Sequence, residues 1–101
     1  MNSFETAVTN RYAPTDAEVI SLDRVRARRQ LAERAHTLSM RERAILAELA
    51  IGRATDEIAE ALVLSPHTVR SHVKTAMRKL DARTRAQAVA IALTTGTIEA
   101  V

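Results

Sequence analysis

The chain has 101 residues, no cysteine, and a formal charge of +3 from 15 basic and 12 acidic side chains. That is one small domain with a modest core, and it excludes disulfides and thiolate metal sites. The start, Met1-Asn2-Ser3-Phe4-Glu5, lacks the basic and apolar regions of a signal peptide, and no apolar run is long enough to span a bilayer. We therefore expect a soluble cytoplasmic protein.

Residues 1–14 are polar, without periodicity, and end at Pro14, which reads as a flexible tail. Thr15-Asp16-Ala17-Glu18 reads as a capping box opening a helix from about Asp16 to His36. Its apolar stripe is ragged: Val19, Leu22, Val25, Ala32 and Ala35. Arg24, Arg26, Arg28, Arg29 and Arg34 dominate the rest. Such a helix (residues 15–37) has a poor claim to a buried position. It is open to three uses: lying over the domain, pairing with a second copy, or contacting phosphates.

Ser39-Met40-Arg41-Glu42 is a second capping box, with Leu38 tucked beneath it. Ile45, Leu46, Leu49 and Ala50 give a helical stripe, and Gly52 ends it in the left-handed conformation. Thr55 reads as the cap of a helix reaching Val63, with Asp56 and Glu57 in its first turn favoured by the helix dipole. Ile58, Ala59 and Leu62 face inward, and Leu64 plugs the corner that follows.

Ser65 caps the next helix and Pro66 sits at its first position, where a missing N–H costs nothing. Val69, Val73, Ala76 or Met77, and Leu80 recur on one face. Arg70, Ser71, Lys74 and Arg78 fall on the other. Between Ser65 and Arg85 there are six bases against Asp81 alone, whereas Thr55–Leu64 holds three acids and no base. Base concentrated on one helix suits the phosphates and guanine edges of a DNA major groove. The two aromatics, Phe4 and Tyr12, lie in the tail, so no stacking platform for single strands or RNA is expected. Thr84-Arg85-Ala86-Gln87 reads as a further capping box. Val89, Ile91, Ala92 and Leu93 make an apolar surface wider than one stripe, and Gly96 ends that helix. The surplus small apolar residues predict a face covered by a second copy.

Two short helices joined at Leu64-Ser65 make a helix-turn-helix. Leu38-Ser39-x-Arg41-Glu42, Gly52, Glu57-Ile58-Ala59, Leu62, Ser65, Thr68-Val69-Arg70-x-His72-Val73, Lys79-Leu80 and Arg85-x-x-Ala88-Val89 together resemble the LuxR/GerE-type helix-turn-helix domain. The resemblance runs from about Leu38 to Ile98, four helices in order. It implies an all-α, four-helix DNA-binding domain (38–101) preceded by one N-terminal helix. It further implies a bacterial regulator that binds duplex DNA as a homodimer. Arg70, Ser71 and Lys74 would read bases, with Ser65, Thr68, His72 and Arg78 at phosphates. Ala88, Val89, Ala92 and Leu93 would form the dimer interface. The chain departs from the family pattern at Ala54 and Thr55, where Ser and Asn are usual, and this rearranges a cap. It also departs at Thr75 and Ala76, with Met77 placed to take up lost volume. Ser71 is small, which leaves specificity mainly to Arg70 and Lys74. Upstream of Leu38 there is room for one helix and not for a sensor domain.

No cofactor or metal is expected. His67 and His72 are five apart, out of line on a helix, and no cysteine joins them. Asp56, Glu57 and Glu60 suit a solvated helix start better than acid–base chemistry, and only two glycines are present, so no phosphate loop exists. An enzyme is not expected. Two other readings share the pattern. One is a promoter-binding region of a sigma factor. The other is a helix-turn-helix that docks on RNA polymerase or another regulator, with residues 15–37 as its contact. His72 and the Arg85-x-x-Ala88-Val89 tail favour the LuxR type over the first. The bases at 70, 74 and 78 disfavour the second.

Overall fold

A computed structural model describes residues 16–99, and only the backbone of residues 17–20. The expected tail and the capping box at Thr15–Glu18 lie outside the described residues. Five helices and no strand occur among those described: α1 (Asp16–Ala35), α2 (Met40–Ala50), α3 (Thr55–Leu62), α4 (Pro66–Leu80) and α5 (Arg85–Thr94).

The helix starts follow from short-range hydrogen bonds. At α2 the box forms as expected: Glu42 N–H donates to Ser39 Oγ at 3.0 Å and Ser39 N–H to Glu42 Oε1 at 2.7 Å. At α3 the expected cap is wrong. Thr55 is the first helical residue, and Ala54 holds the extended cap position with no side-chain acceptor. Glu57 compensates by accepting from the Ala54 N–H at 2.9 Å. At α5 the cap is Thr84, as a box over Thr84–Gln87 requires, and the helix runs from Arg85. Thr84 accepts from Gln87 N–H, but Gln87 reaches past the cap to the Arg83 N–H at 2.7 Å, so the box is only half made.

The four helices after α1 all stop in the same way. The amide just after a left-handed residue, two or three residues beyond each helix, reaches back into its last turn: Arg53 to Glu48 O, Leu64 to Ala59 O, Ala82 to Met77 O and Thr97 to Ala92 O, at 2.8–3.2 Å. Gly52 and Gly96 supply two of the left-handed residues, as expected; Val63 and Asp81 supply the others, at φ 57° and 53°.

Two small cores result. One lies beneath the helix-turn-helix and joins Ile45, Ile58, Ala59, Val69 and Val73. The larger gathers the end of α1 (Ala35), Leu38, Leu46, Ala76, Leu80 and the inner face of α5. Leu49 and Met77 touch both, so Met77 does fill space beside the small Ala76. Ala59 is 4 % exposed; its small side chain lies in the core where α3 crosses α4. α1 is divided. Leu31 and Ala35 pack on the domain, while residues 21–30 are exposed throughout.

Candidate nucleic-acid interface

The turn between α3 and α4 is short because each residue in it has a fixed task. Val63 reverses the chain, Leu64 packs into the smaller core, and Ser65 caps α4. Ser65 Oγ accepts from the Thr68 N–H at 3.0 Å and donates to Thr68 Oγ1 at 2.9 Å. Its hydroxyl is therefore spent on the helix start, which disfavours the direct phosphate contact expected of Ser65. The bond leaves the Thr68 O–H proton directed elsewhere, at the rim of the exposed face.

Val69, Val73, Ala76 and Leu80 are 0–2 % exposed and fix α4 against the body. This rotation puts Arg70, Ser71, Lys74 and Arg78 in solvent, while Thr68 and His72 are half-buried at the edge. Arg70, Lys74 and Arg78 stand at successive i+4 steps and form one ridge about 12 Å long. His67, Arg70, Ser71 and Lys74 line a shallow depression on this face. His67 was not among the expected contacts. Its place in the first turn, one helical turn before Ser71 and two before Lys74, is the signal that would have found it.

Two of the three other bases near this helix, Lys79 and Arg85, are engaged, and Arg83 is exposed. Lys79 Nζ donates to Glu42 Oε1 at 2.7 Å and to the Thr37 carbonyl at 3.1 Å. Burial pushes the Glu42 carboxyl up. The Lys79 hydrogen bond, the Ser39 N–H, the Lys79 charge and the Ser39 hydroxyl together outweigh that and hold it below its ordinary value. Arg85 donates to Thr55 Oγ1 at 3.3 Å, tying the starts of α5 and α3. The outward positive charge is thus narrower than the base count suggests.

The expected dimer residues divide. Ala88 and Ala92 are fully buried in the chain's own core and cannot touch a second copy. The packing demand of α1 and α2 accounts for the small residues there. Val89 is partly buried and Leu93 is 36 % exposed. With Ala86, Ala90, Leu49 and Ala50 they line an open apolar groove. No described helix is long and apolar enough to cross a membrane.

Comparison with known proteins agrees with this architecture. Residues 36–92 match the family described as bacterial regulatory proteins, luxR family. The spore germination protein GerE of Bacillus subtilis is 42% identical over 62 residues, 61% of this chain and 84% of that protein. Two uncharacterized transcriptional regulatory proteins of the same organism, YhcZ and YxjL, are 39% and 36% identical over 61 and 87 residues. These matches cover 60% and 84% of this chain, which spans only 28% of YhcZ and 39% of YxjL. The chain belongs to the luxR family of bacterial regulatory proteins, and α3 and α4 form its helix-turn-helix.

Proposed function

We propose that this chain acts in the bacterial cytoplasm as a sequence-selective, dimeric binder of duplex DNA with no catalytic activity of its own. α4 enters the major groove. Arg70 and Lys74 donate to base-edge acceptors, with Ser71 between them, and Thr68, His72 and Arg78 meet the flanking phosphates. His67 extends the reading face by one turn. A second copy docks on the groove of Ala86, Val89, Ala90 and Leu93, so two α4 helices meet half-sites about one helical turn apart.

The observation that carries this reading is the Arg70–Lys74–Arg78 ridge, exposed on a helix whose opposite face is wholly buried. Selection from a random duplex pool tests it. An enriched two-fold symmetric site with steep salt dependence is expected. Arg70→Ala or Lys74→Ala costs about 1–3 kcal/mol on that site and little on random duplex. Equal loss on every duplex would reduce both residues to backbone contacts, and no enrichment would overturn the sequence-reading role.

A further inference from the structure

The outer half of α1 is a folded helix with nothing packed on it. Residues 21–30 are exposed, and Leu22 and Val25 are 49 % and 51 % exposed. A helix of 20 residues holding only its last turns against a body is marginal in water. Its charges are divided into two blocks of equal length. Asp16–Asp23 carries three acids (Asp16, Glu18, Asp23) and no base; Arg24–Leu31 carries four bases (Arg24, Arg26, Arg28, Arg29) and no acid. The helix dipole accounts for acids in the first turn. It does not account for four arginines in mid-helix, since its effect fades within a turn of each end.

The two blocks are complementary in one arrangement only. When two α1 helices lie antiparallel about the 23/24 boundary, the acidic block of each runs along the basic block of the other. In that register Leu22 lies opposite the partner copy's Val25, and position 18 opposite position 29. Leu22 and Val25 are the half-exposed apolar residues, and together with Arg29 and Ala32 they follow the 3-4 spacing of a helix-pairing seam. A parallel pair would set like block against like block.

We propose that α1 is a self-association surface, pairing antiparallel with α1 of a second copy of this chain. It is separate from the α5 groove, since α1 meets the domain only over its last turns, from Leu31 to Ala35, and leaves its outer turns free. The pair places the two α1 C-termini about 35 Å apart, at 1.5 Å per residue. That separation is close to one turn of duplex DNA, the spacing of helix-turn-helix half-sites. α1 thereby holds two DNA-binding units at a distance that a shared site can use.

The test uses the full chain carrying Leu93→Glu, so that association through α5 is removed and the two surfaces are read separately. One variant is D16R/E18R/D23R and the other R24E/R26E/R28E/R29E. Each gives residues 16–31 charges of one sign only, without touching the core. By sedimentation, each alone is expected to self-associate at least about tenfold more weakly than its Leu93→Glu parent, because the facing charge pairs, 18 with 29 and 23 with 24, become repulsive in both copies. Their equimolar mixture is expected to recover a 1:1 pair. A spin label at Asp16→Cys in the Leu93→Glu parent is expected to read an axial offset of about 22 Å. Unchanged self-association of either variant overturns the proposal, as does a mixture that stays monomeric. A much shorter label distance, with the ends of the helices together, overturns the antiparallel arrangement. A Leu93→Glu parent that is itself monomeric places all pairing at α5 and likewise overturns the proposal.

Discussion

Val63→Gly should make this protein more stable. Val63 lies at φ 57° and ψ 51°, where an L-residue costs about 1–2 kcal/mol and a β-branched one is crowded further. It is held there because the chain must reverse between α3 and α4 within three residues. The Leu64 N–H to Ala59 O bond at 2.8 Å closes that reversal. Glycine removes the steric cost. The side chain is 90 % exposed, so deleting it removes about 0.2 kcal/mol of apolar burial at most. Against the gain stands the wider unfolded ensemble of glycine, about 0.4–1 kcal/mol. The balance is a stabilisation of about 0.5–1 kcal/mol, or a rise in melting temperature of roughly 2–8 °C for a domain this size. Urea and thermal unfolding followed by circular dichroism measure it. Val63→Ala, which keeps the left-handed penalty without the branch, should fall between the two. A glycine variant less stable than the parent would refute the reasoning. It would mean that the valine side chain contributes packing that outweighs its strain.

Three further outcomes follow from the packing. Glu42 is 3 % exposed, and Lys79 holds its carboxyl below the ordinary value, so the folded state favours the ionised form. That stabilisation is complete above the ordinary glutamate value of about 4.3 and is lost as pH falls through the lower folded value. Glu42→Gln should lose about 1–3 kcal/mol at neutral pH, and its stability curve should converge with the parent's in acid; parallel curves would show that the pair does not form. Leu93→Glu should weaken dimerisation on DNA while leaving the melting temperature nearly unchanged, and an unaltered binding stoichiometry would remove the α5 groove from the interface. Removing residues 1–20 should leave the melting temperature within a few degrees. Removing residues 1–37 should lower it sharply, since Leu31 and Ala35 cover the larger core; equal melting temperatures for the two truncations would contradict that packing.

Much of this fold was legible because its signals are local. Ser39 with Glu42, Ser65 with Pro66, and the glycines at 52 and 96 each act within one turn of chain, and each behaves as its residue type requires. The apolar period of α4 was likewise sufficient to separate Val69, Val73 and Leu80 from Arg70, Ser71 and Lys74. What escaped is non-local or runs against propensity. No spacing rule joins Lys79 to a glutamate 37 residues earlier. Lys79 therefore looked like one more base for DNA, although its ammonium is engaged inside the fold. Ala88 and Ala92 looked like a docking stripe because small residues admit close approach by any neighbour. Whether that neighbour is a second copy or the chain's own α1 and α2 depends on tertiary packing alone. The left-handed turn at Val63 opposes the preference of valine, so only the geometry of the reversal reveals it.

These non-local contacts have one direction in common. Lys79 reaches Glu42 and the Thr37 carbonyl, and Leu80 packs in the core that Ala35 and Leu38 help close. Arg34 approaches Asp81 at 3.9 Å, a weak pair because both side chains are exposed. All four contacts join the last turn of α4 and its cap to residues 34–42, the end of α1, its link to α2 and the first turn of α2. The front of α4 is set by Ser65 and the buried valines, and its rear by the end of α1. The helix that presents Arg70 and Lys74 is therefore held in part by an element whose outer half is exposed to solvent. Any partner that bends or withdraws α1 must disturb the Thr37 carbonyl and the cover over Leu80 before it reaches the reading face. Lys79→Met tests this coupling. It should leave the Arg70–Lys74–Arg78 ridge exposed, yet weaken binding to the enriched site in proportion to the stability lost. A variant with lowered stability and undiminished affinity would show that the reading face is positioned by the helix-turn-helix core alone.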